Sequence, residues 1–348
     1  MKKMKKFVLA IMICSLVGVV ASQDVKAEIT NFPNGLSSWG VPVLPNVSSG
    51  IFADSNVYWV DSTDSQNADG AGGGTAEQPF ATIDFAVGQC TANNGDLILV
   101  KPGHTETVSA AAGLDFDVAG ITIIGIGTGS DRPTVDFTTA ATADIDIDAA
   151  NVTIVNILFE ARVEGLTAPV DINAADCRLF NIETRDIDAI GSTTAFIVTD
   201  ANADRLLIDG WKHVGTATGG TDASSNAHPI SAVSLIGGDD IVIRNVNLYG
   251  DFGRAGILAT TTGCTRLTVG GFDQHSQIWT ENSSDTCVAV MDSTGFIGPN
   301  LSLRLEDDAA NTRGAATGTA AQFMQPIIIV NADAESSTQT TITPTGAL

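Results

Sequence analysis

From about residue 145 to residue 305 the chain repeats a pair of short apolar alternations, separated by small and polar turn residues. The copies begin with Ile145-Asp146-Ile147 and Val152-Thr153-Ile154-Val155-Asn156, followed by Val170-Asp171-Ile172 and Cys177-Arg178-Leu179-Phe180-Asn181. Phe196-Ile197-Val198 with Arg205-Leu206-Leu207-Ile208-Asp209, Val233-Ser234-Leu235 with Ile241-Val242-Ile243-Arg244-Asn245, and Ile257-Leu258-Ala259 with Leu267-Thr268-Val269-Gly270-Gly271 continue the series. Period-two apolar residues predict strands with one buried face, because successive side chains point to opposite sides of the ribbon. The bounding Asn, Asp and Gly turn the chain sharply through left-handed and self-bonded conformations.

The closing residues Gly125, Asn156, Asn181, Asp209, Asn245 and Gly271 stand 31, 25, 28, 36 and 26 residues apart. A propeller blade needs a more even repeat of about 40 to 50 residues. Shorter units with insertions confined to one place suit coils that each bury the apolar edge of the next. The expected fold is therefore all-β, a right-handed parallel β-helix over residues 58–308. Phe80, Ile83, Ala86 and Val87 share one helical face and predict a short helix that plugs the first coil. Residues 28–57 read as an extended N-terminal arm, and 309–348 as a C-terminal cap and tail.

At the start, Lys2, Lys3, Lys5 and Lys6 precede an apolar run from Phe7 to Ala21 and the small-residue stretch Val25-Lys26-Ala27. This is the pattern of a secretory signal peptide over residues 1–27. The run is short for a membrane span and no second one follows. Export would leave a secreted, cell-surface or virion-associated product.

The formal net charge of −23 repels phosphate backbones, which argues against a nucleic-acid partner. It also disfavours ion-free capture of acidic polysaccharide. Cys90, Cys177, Cys264 and Cys287 follow the leader. Cys177 falls where sister coils carry Val152 and Ile241, so a buried free thiol is expected there, while a Cys264–Cys287 bridge stays open.

The stretches Tyr58 through Gly70, Pro79-Phe80-Ala81-Thr82-Ile83, Gly95-Asp96-Leu97-Ile98-Leu99-Val100-Lys101-Pro102-Gly103 and Gly120-Ile121-Thr122-Ile123-Ile124-Gly125 resemble the entry to pectin-lyase-like right-handed β-helix proteins. Ile29-Thr30-Asn31-Phe32-Pro33-Asn34-Gly35-Leu36 with Gly40-Val41-Pro42-Val43 resembles the opening of tailed-phage virion proteins that carry similar helices. The first resemblance implies a fold and leaves function open, since that superfamily spans lyases, hydrolases, adhesins and tailspikes.

Its lyases hold calcium on clustered carboxylates beside an Arg or Lys base. Asp146 and Asp171, with Asp144 and Asp148 near, would stand about 5 Å apart if both point outward from adjacent coils, and Arg178, Arg162 and Arg185 are close in sequence. The same Asp residues also suit the plain polar face of a strand. Its hydrolases need paired carboxylates with basic partners. Asp239 and Asp240, with Arg244 and His228, give such a set, although Asn-x-Asp, Gly-His-Gly and Arg-Ile-Lys strings are missing from their coils and ordinary turn residues also account for the pair. Asp61, Asp64, Asn67 and Asp69 form an oxygen-rich loop suited either to Ca²⁺ or to Asx turns.

Trp211, Tyr249, Trp279 and Phe272 follow the second strands of their units, where exposed rings can stack on sugars or pack under inserted loops. The leading expectation is a non-catalytic surface scaffold that binds a polysaccharide or docks on a capsid or cell-surface protein, with a homo-oligomer as one form it can take. The alternative is a calcium-assisted polysaccharide lyase or glycoside hydrolase.

Overall fold

The computed structural model describes residues 55–163, 165–187, 195–215, 231–259, 263–280 and 293–305, together with strands at 36–38, 41–43, 286–290, 315–317, 321–324 and 327–331. The stretches expected to be a leader and an N-terminal arm lie outside these residues for the most part. The chain divides into two compact units, Met1–Pro45 and Asn46–Leu348. In the first, Leu36–Ser38 pairs antiparallel with Val41–Val43.

The second unit is a parallel β-helix. Each coil contributes three strands rather than the two read from the sequence. One ladder runs through Leu97–Val100, Thr122–Gly125, Thr153–Val155 and Arg178–Phe180. A second runs through Thr105–Val108, Thr134–Phe137, Leu158–Ala161 and Glu183–Asp186. The two merge at Leu207–Val214 and Val242–Gly250, long strands that turn the corner without a break, to give a 17-stranded sheet. The third ladder is a separate 8-stranded sheet that includes Ile145–Ile147, Val170–Ile172 and Ala195–Thr199. Parallel pairing continues past residue 308 through Ala315–Thr317, Ala321–Phe323 and Ile327–Asn331.

The interior is built from in-register columns. Ile98, Ile123, Ile154, Leu179, Ile208, Ile243, Val269 and Ile297 stack on the inner face of the first ladder, all buried. Each such side chain contributes about 2–3 kcal/mol by leaving water. Cys177 continues the buried row of Val152 and Ile241, as expected. All four cysteines are free thiols, so the Cys264–Cys287 bridge does not form; Cys264 Sγ faces the Gly237 carbonyl at 3.1 Å and Cys287 Sγ the Arg304 carbonyl at 3.3 Å.

Two corners repeat on every coil, each with one residue in the left-handed region. Between the third and first ladders stand Asn151, Asp176, Arg205, Asp240 and Arg266, with φ between 57° and 63°. Between the first and second stand Asn156, Asn181, Gly210 and Asn245. Asn156 Nδ2 donates to the Gly125 carbonyl at 2.7 Å, and Asn181 Nδ2 to Asn156 Oδ1 at 3.1 Å, so the amides ladder along this edge. The fourth corner, expected at Asp209, has its left-handed residue one position later, at Gly210.

The expected plug is the helix Ile83–Val87, which buries Ile83, Ala86 and Val87. Thr82 Oγ1 accepts from Phe85 N at 3.2 Å, and Glu106, buried inside the coil, accepts from Ile83 N at 2.8 Å.

Candidate functional site

Asp61 and Asp64 meet at Lys101 Nζ, 3.7 and 3.0 Å away, whereas Asp69 faces elsewhere. Asp61 Oδ1 accepts from Thr63 N and Oγ1 at 2.9 and 2.7 Å. Asp64 accepts from Gln66 N at 2.9 Å and pairs with Lys101 at 3.0 Å, which together hold its carboxyl below the ordinary range. Asp69 is turned to Ala81 N and Thr82 Oγ1, at 2.7 and 2.9 Å. This loop is a set of Asx turns fastened to the helix cap rather than a cation cradle. Among the described residues no three His, Cys, Asp or Glu side chains are grouped to hold a metal ion.

Asp146 and Asp171 do stand opposite each other on adjacent strands, and Asp115 extends the column. Partial burial, then the charges of Asp144, Asp148 and Asp171, push Asp146 up to about 6. Asp171 is raised mainly by burial and then by Asp144. Arg178 is exposed on the first ladder, in register with Thr153 and Leu207, across the Asp176 corner from the column. It forms no ion pair among the described residues, so the expected carboxylate and base are not brought together.

Asp239, Asp240 and Arg244 are also separated. Asp240 is a left-handed corner residue gripped by Arg266 at 2.5 and 2.6 Å, and Asp239 lies 3.4 Å from the same guanidinium. Arg244 turns instead to Asp209 Oδ2 at 2.9 Å. Both arrangements are corner ion pairs, like Arg205 with Asp176, two coils before Arg266 with Asp240. His228 lies outside the described residues.

Trp211 is not a surface aromatic. It is 1% exposed, and its indole N–H donates to Thr184 Oγ1 at 2.9 Å. The left-handed Gly210 adds a residue at the corner and shifts the alternation, so Ile208, Trp211 and His213 all point inward while Lys212 points out. His213 Nδ1 and the Thr184 hydroxyl share a hydrogen bond at 2.8 Å, and the same hydroxyl accepts from Trp211. Burial drives its pKa down to about 3.

Tyr249 and Trp279 do face outward. They stand in register on the second ladder between Val214 and Arg304. Their rings meet edge to face with centroids 4.8 Å apart, and the Arg304 guanidinium lies 3.8 Å from the indole centroid. Asn247 and Gln277 form the neighbouring outward row with Lys212. Together these side chains line an open groove of about 350 Å³.

On the same face, toward the N-terminal coils, lies a charge network that the sequence reading missed. Glu183 is held by Arg185, Lys212 and Arg132 at 2.8, 3.1 and 3.2 Å. Burial raises its pKa, but Arg185 and Lys212 outweigh that and leave it lowered. Arg185 reaches Glu160 at 3.4 Å, and Arg162 joins Glu160 to Asp136. Four cations against three carboxylates leave +1 in a chain of −23. The available signal was an acid-x-base spacing, Glu160 with Arg162 and Glu183 with Arg185, shifted from the strand register so that Arg185 falls opposite Glu160. Every carboxylate in the network is ion-paired, so the face offers hydrogen bonds, cations and ring surface rather than a free acid.

No family profile matches the sequence, and no curated protein does. Among solved structures the chain is similar to a rhamnogalacturonan lyase, with a TM-score of 0.32 and 14% sequence identity, covering 76% of this chain and 73% of that one. A likeness of that size carries no argument about activity.

Proposed function

We propose that this protein is a non-catalytic, exported or virion-associated surface scaffold that binds glycan along the outer face of its second ladder. The observation that carries this reading is the groove floored by Lys212, Asn247, Tyr249, Gln277 and Trp279. Ring faces suit the C–H surfaces of sugars, while amides and an ammonium suit their hydroxyls. From Asp136 to Arg304 the face spans six strand-to-strand steps, about 29 Å at about 4.8 Å each, enough for several sugar units. Glycan-array binding followed by calorimetry tests it. Tyr249→Ala or Trp279→Ala is expected to weaken a bound oligosaccharide by roughly tenfold, about 1.4 kcal/mol. Unchanged affinity in both variants would rule the groove out.

A second reading, calcium-assisted polysaccharide cleavage, draws on the facing pair Asp146 and Asp171, with Asp146 held up to about 6. It predicts calcium-dependent absorbance at the wavelength of an unsaturated uronate, and that the signal disappears in Asp146→Asn. Silence over acidic and neutral polysaccharides, with and without Ca²⁺, leaves the scaffold reading.

A further inference from the structure

The coil corner beside the second-ladder groove carries its own pocket. A cavity of about 230 Å³ is lined by Asp209, Arg244, Asn245, Gly271, Asp273 and Gln274. Both Nε and Nη2 of Arg244 approach a single oxygen of Asp209, Oδ2, at 2.9 Å. A Cβ built on Gly271 would meet the Arg244 stem at 3.5 and 3.6 Å, so this glycine lies against the guanidinium arm and leaves the space above it open. Between Gly271 and Asp273 stands Phe272, 76% exposed, the most exposed of the large hydrophobic side chains among the described residues.

Three properties narrow the ligand. The lining supplies acceptors on two carboxylates, donors on a guanidinium, and both on two amides, which suits hydroxyl groups that donate and accept at once. Its charge is −1, from Asp209, Asp273 and Arg244, inside a chain of −23, so an anionic ligand is repelled. An exposed aromatic ring at the rim offers an apolar face of the kind found at binding sites. The cavity also adjoins the groove already assigned. Arg244 and Asn245 precede Asn247 and Tyr249 on one strand, and Asn245 and Asn247 are about 6–7 Å apart along it.

We infer that this corner is a subsite for one neutral pyranose unit of a glycan lying on the second-ladder face, an assignment that rests on the glycan-binding reading. Arg244 and Asp209 take neighbouring hydroxyls, Asn245 and Gln274 complete the ring of hydrogen bonds, and Phe272 covers the C–H face. The same residues reject uronates, which lack a free cation there, since the Arg244 charge is already committed to Asp209.

Saturation-transfer NMR tests this with free glucose, galactose, mannose, rhamnose and N-acetylglucosamine, against glucuronate and galacturonate, on the same chain used for the oligosaccharide measurements. At least one neutral sugar is expected to bind and both uronates to give no signal. Gly271→Val, whose Cβ meets the Arg244 stem at ordinary contact distances and whose methyls project into the cavity, and Gln274→Ala, which alters only an exposed side chain, are each expected to weaken binding by roughly tenfold. Tyr249→Ala should leave the monosaccharide signal intact while weakening the oligosaccharide. No neutral-sugar signal, a signal untouched by both corner variants, or a preference for uronates overturns the subsite. If oligosaccharide binding still depends on Tyr249 in that event, the groove reading survives without the corner; if the corner binds but Tyr249→Ala changes nothing, the corner stands and the groove reading fails.

Discussion

His213 is the residue whose titration should weigh most on stability. It is fully buried, packed between Phe196, Trp211 and Phe252 with ring centroids 5.8, 6.1 and 5.7 Å away. Burial lowers its pKa from 6.5 to about 3. The unfolded chain therefore takes up a proton that the folded chain refuses, throughout the window from about pH 6.5 down to about pH 3. Stability contributed by the neutral ring is complete above about pH 6.5 and is lost as the pH falls toward 3. At about 1.4 kcal/mol per unit the full loss approaches 5 kcal/mol, with about 3 kcal/mol gone by pH 4. His213→Leu removes this term, and the inward neighbour in the same register position is already Leu248. At pH 7 the variant forfeits the hydrogen bond shared with Thr184, about 1 kcal/mol. At pH 4 it should be the more stable of the two, by about 2 kcal/mol. Urea unfolding followed by tryptophan fluorescence at whole pH units from 4 to 8 gives the comparison, because the other titrating groups are common to both chains. Identical slopes of stability against pH in wild type and variant would refute the argument.

Asp146→Asn should act with the opposite sign. Its raised pKa means that the folded chain binds this proton more tightly, so the cost of ionising it is absent below about pH 4 and complete above about pH 6. The shift corresponds to about 3 kcal/mol, but the group is largely solvated, and screening reduces the expected gain at pH 8 to about 1 kcal/mol, read as a higher urea midpoint. Asn156→Ala deletes the amide bonds to the Gly125 and Gly127 carbonyls and puts alanine at φ 59°, so it should cost about 2 kcal/mol in the same assay. Burial pushes the Cys287 thiol up to about 12 and the Cys264 thiol to about 11. Cys177, Cys264 and Cys287 should stay silent to a thiol reagent until denaturant is added, and a reductant should leave the melting temperature unchanged.

The β-helix was legible because its core columns are apolar at period two and its corners require Asn, Asp or Gly. The third strand of each coil was not, and the reason lies in its side chains. Leu158–Ala161 is buried on both faces, and Glu183–Asp186 carries Glu183 and Asp186 in buried positions, so hydropathy does not alternate. Cys177 was placed correctly by analogy with Val152 and Ile241, and the Asp146–Asp171 pairing by counting alternations within short strands. Trp211 was misplaced because counting fails across a left-handed corner. Arg244 was paired with Asp239 and Asp240 by nearness in sequence, whereas strand pairing sets it beside Asp209, 35 residues away. Contacts at one coil's distance decide the outer face, and a single sequence shows them only once the register is known.

Along each parallel ladder a strand pairs only with the rung before and the rung after it. A whole coil gained between Arg162 and Glu183 would therefore leave the groove and the corner pocket intact and carry the Arg162 end of the charge network about 4.8 Å farther from them. Coil number acts here as a ruler, with reach along the bound polymer changed in fixed increments while the chemistry at each stop stays the same.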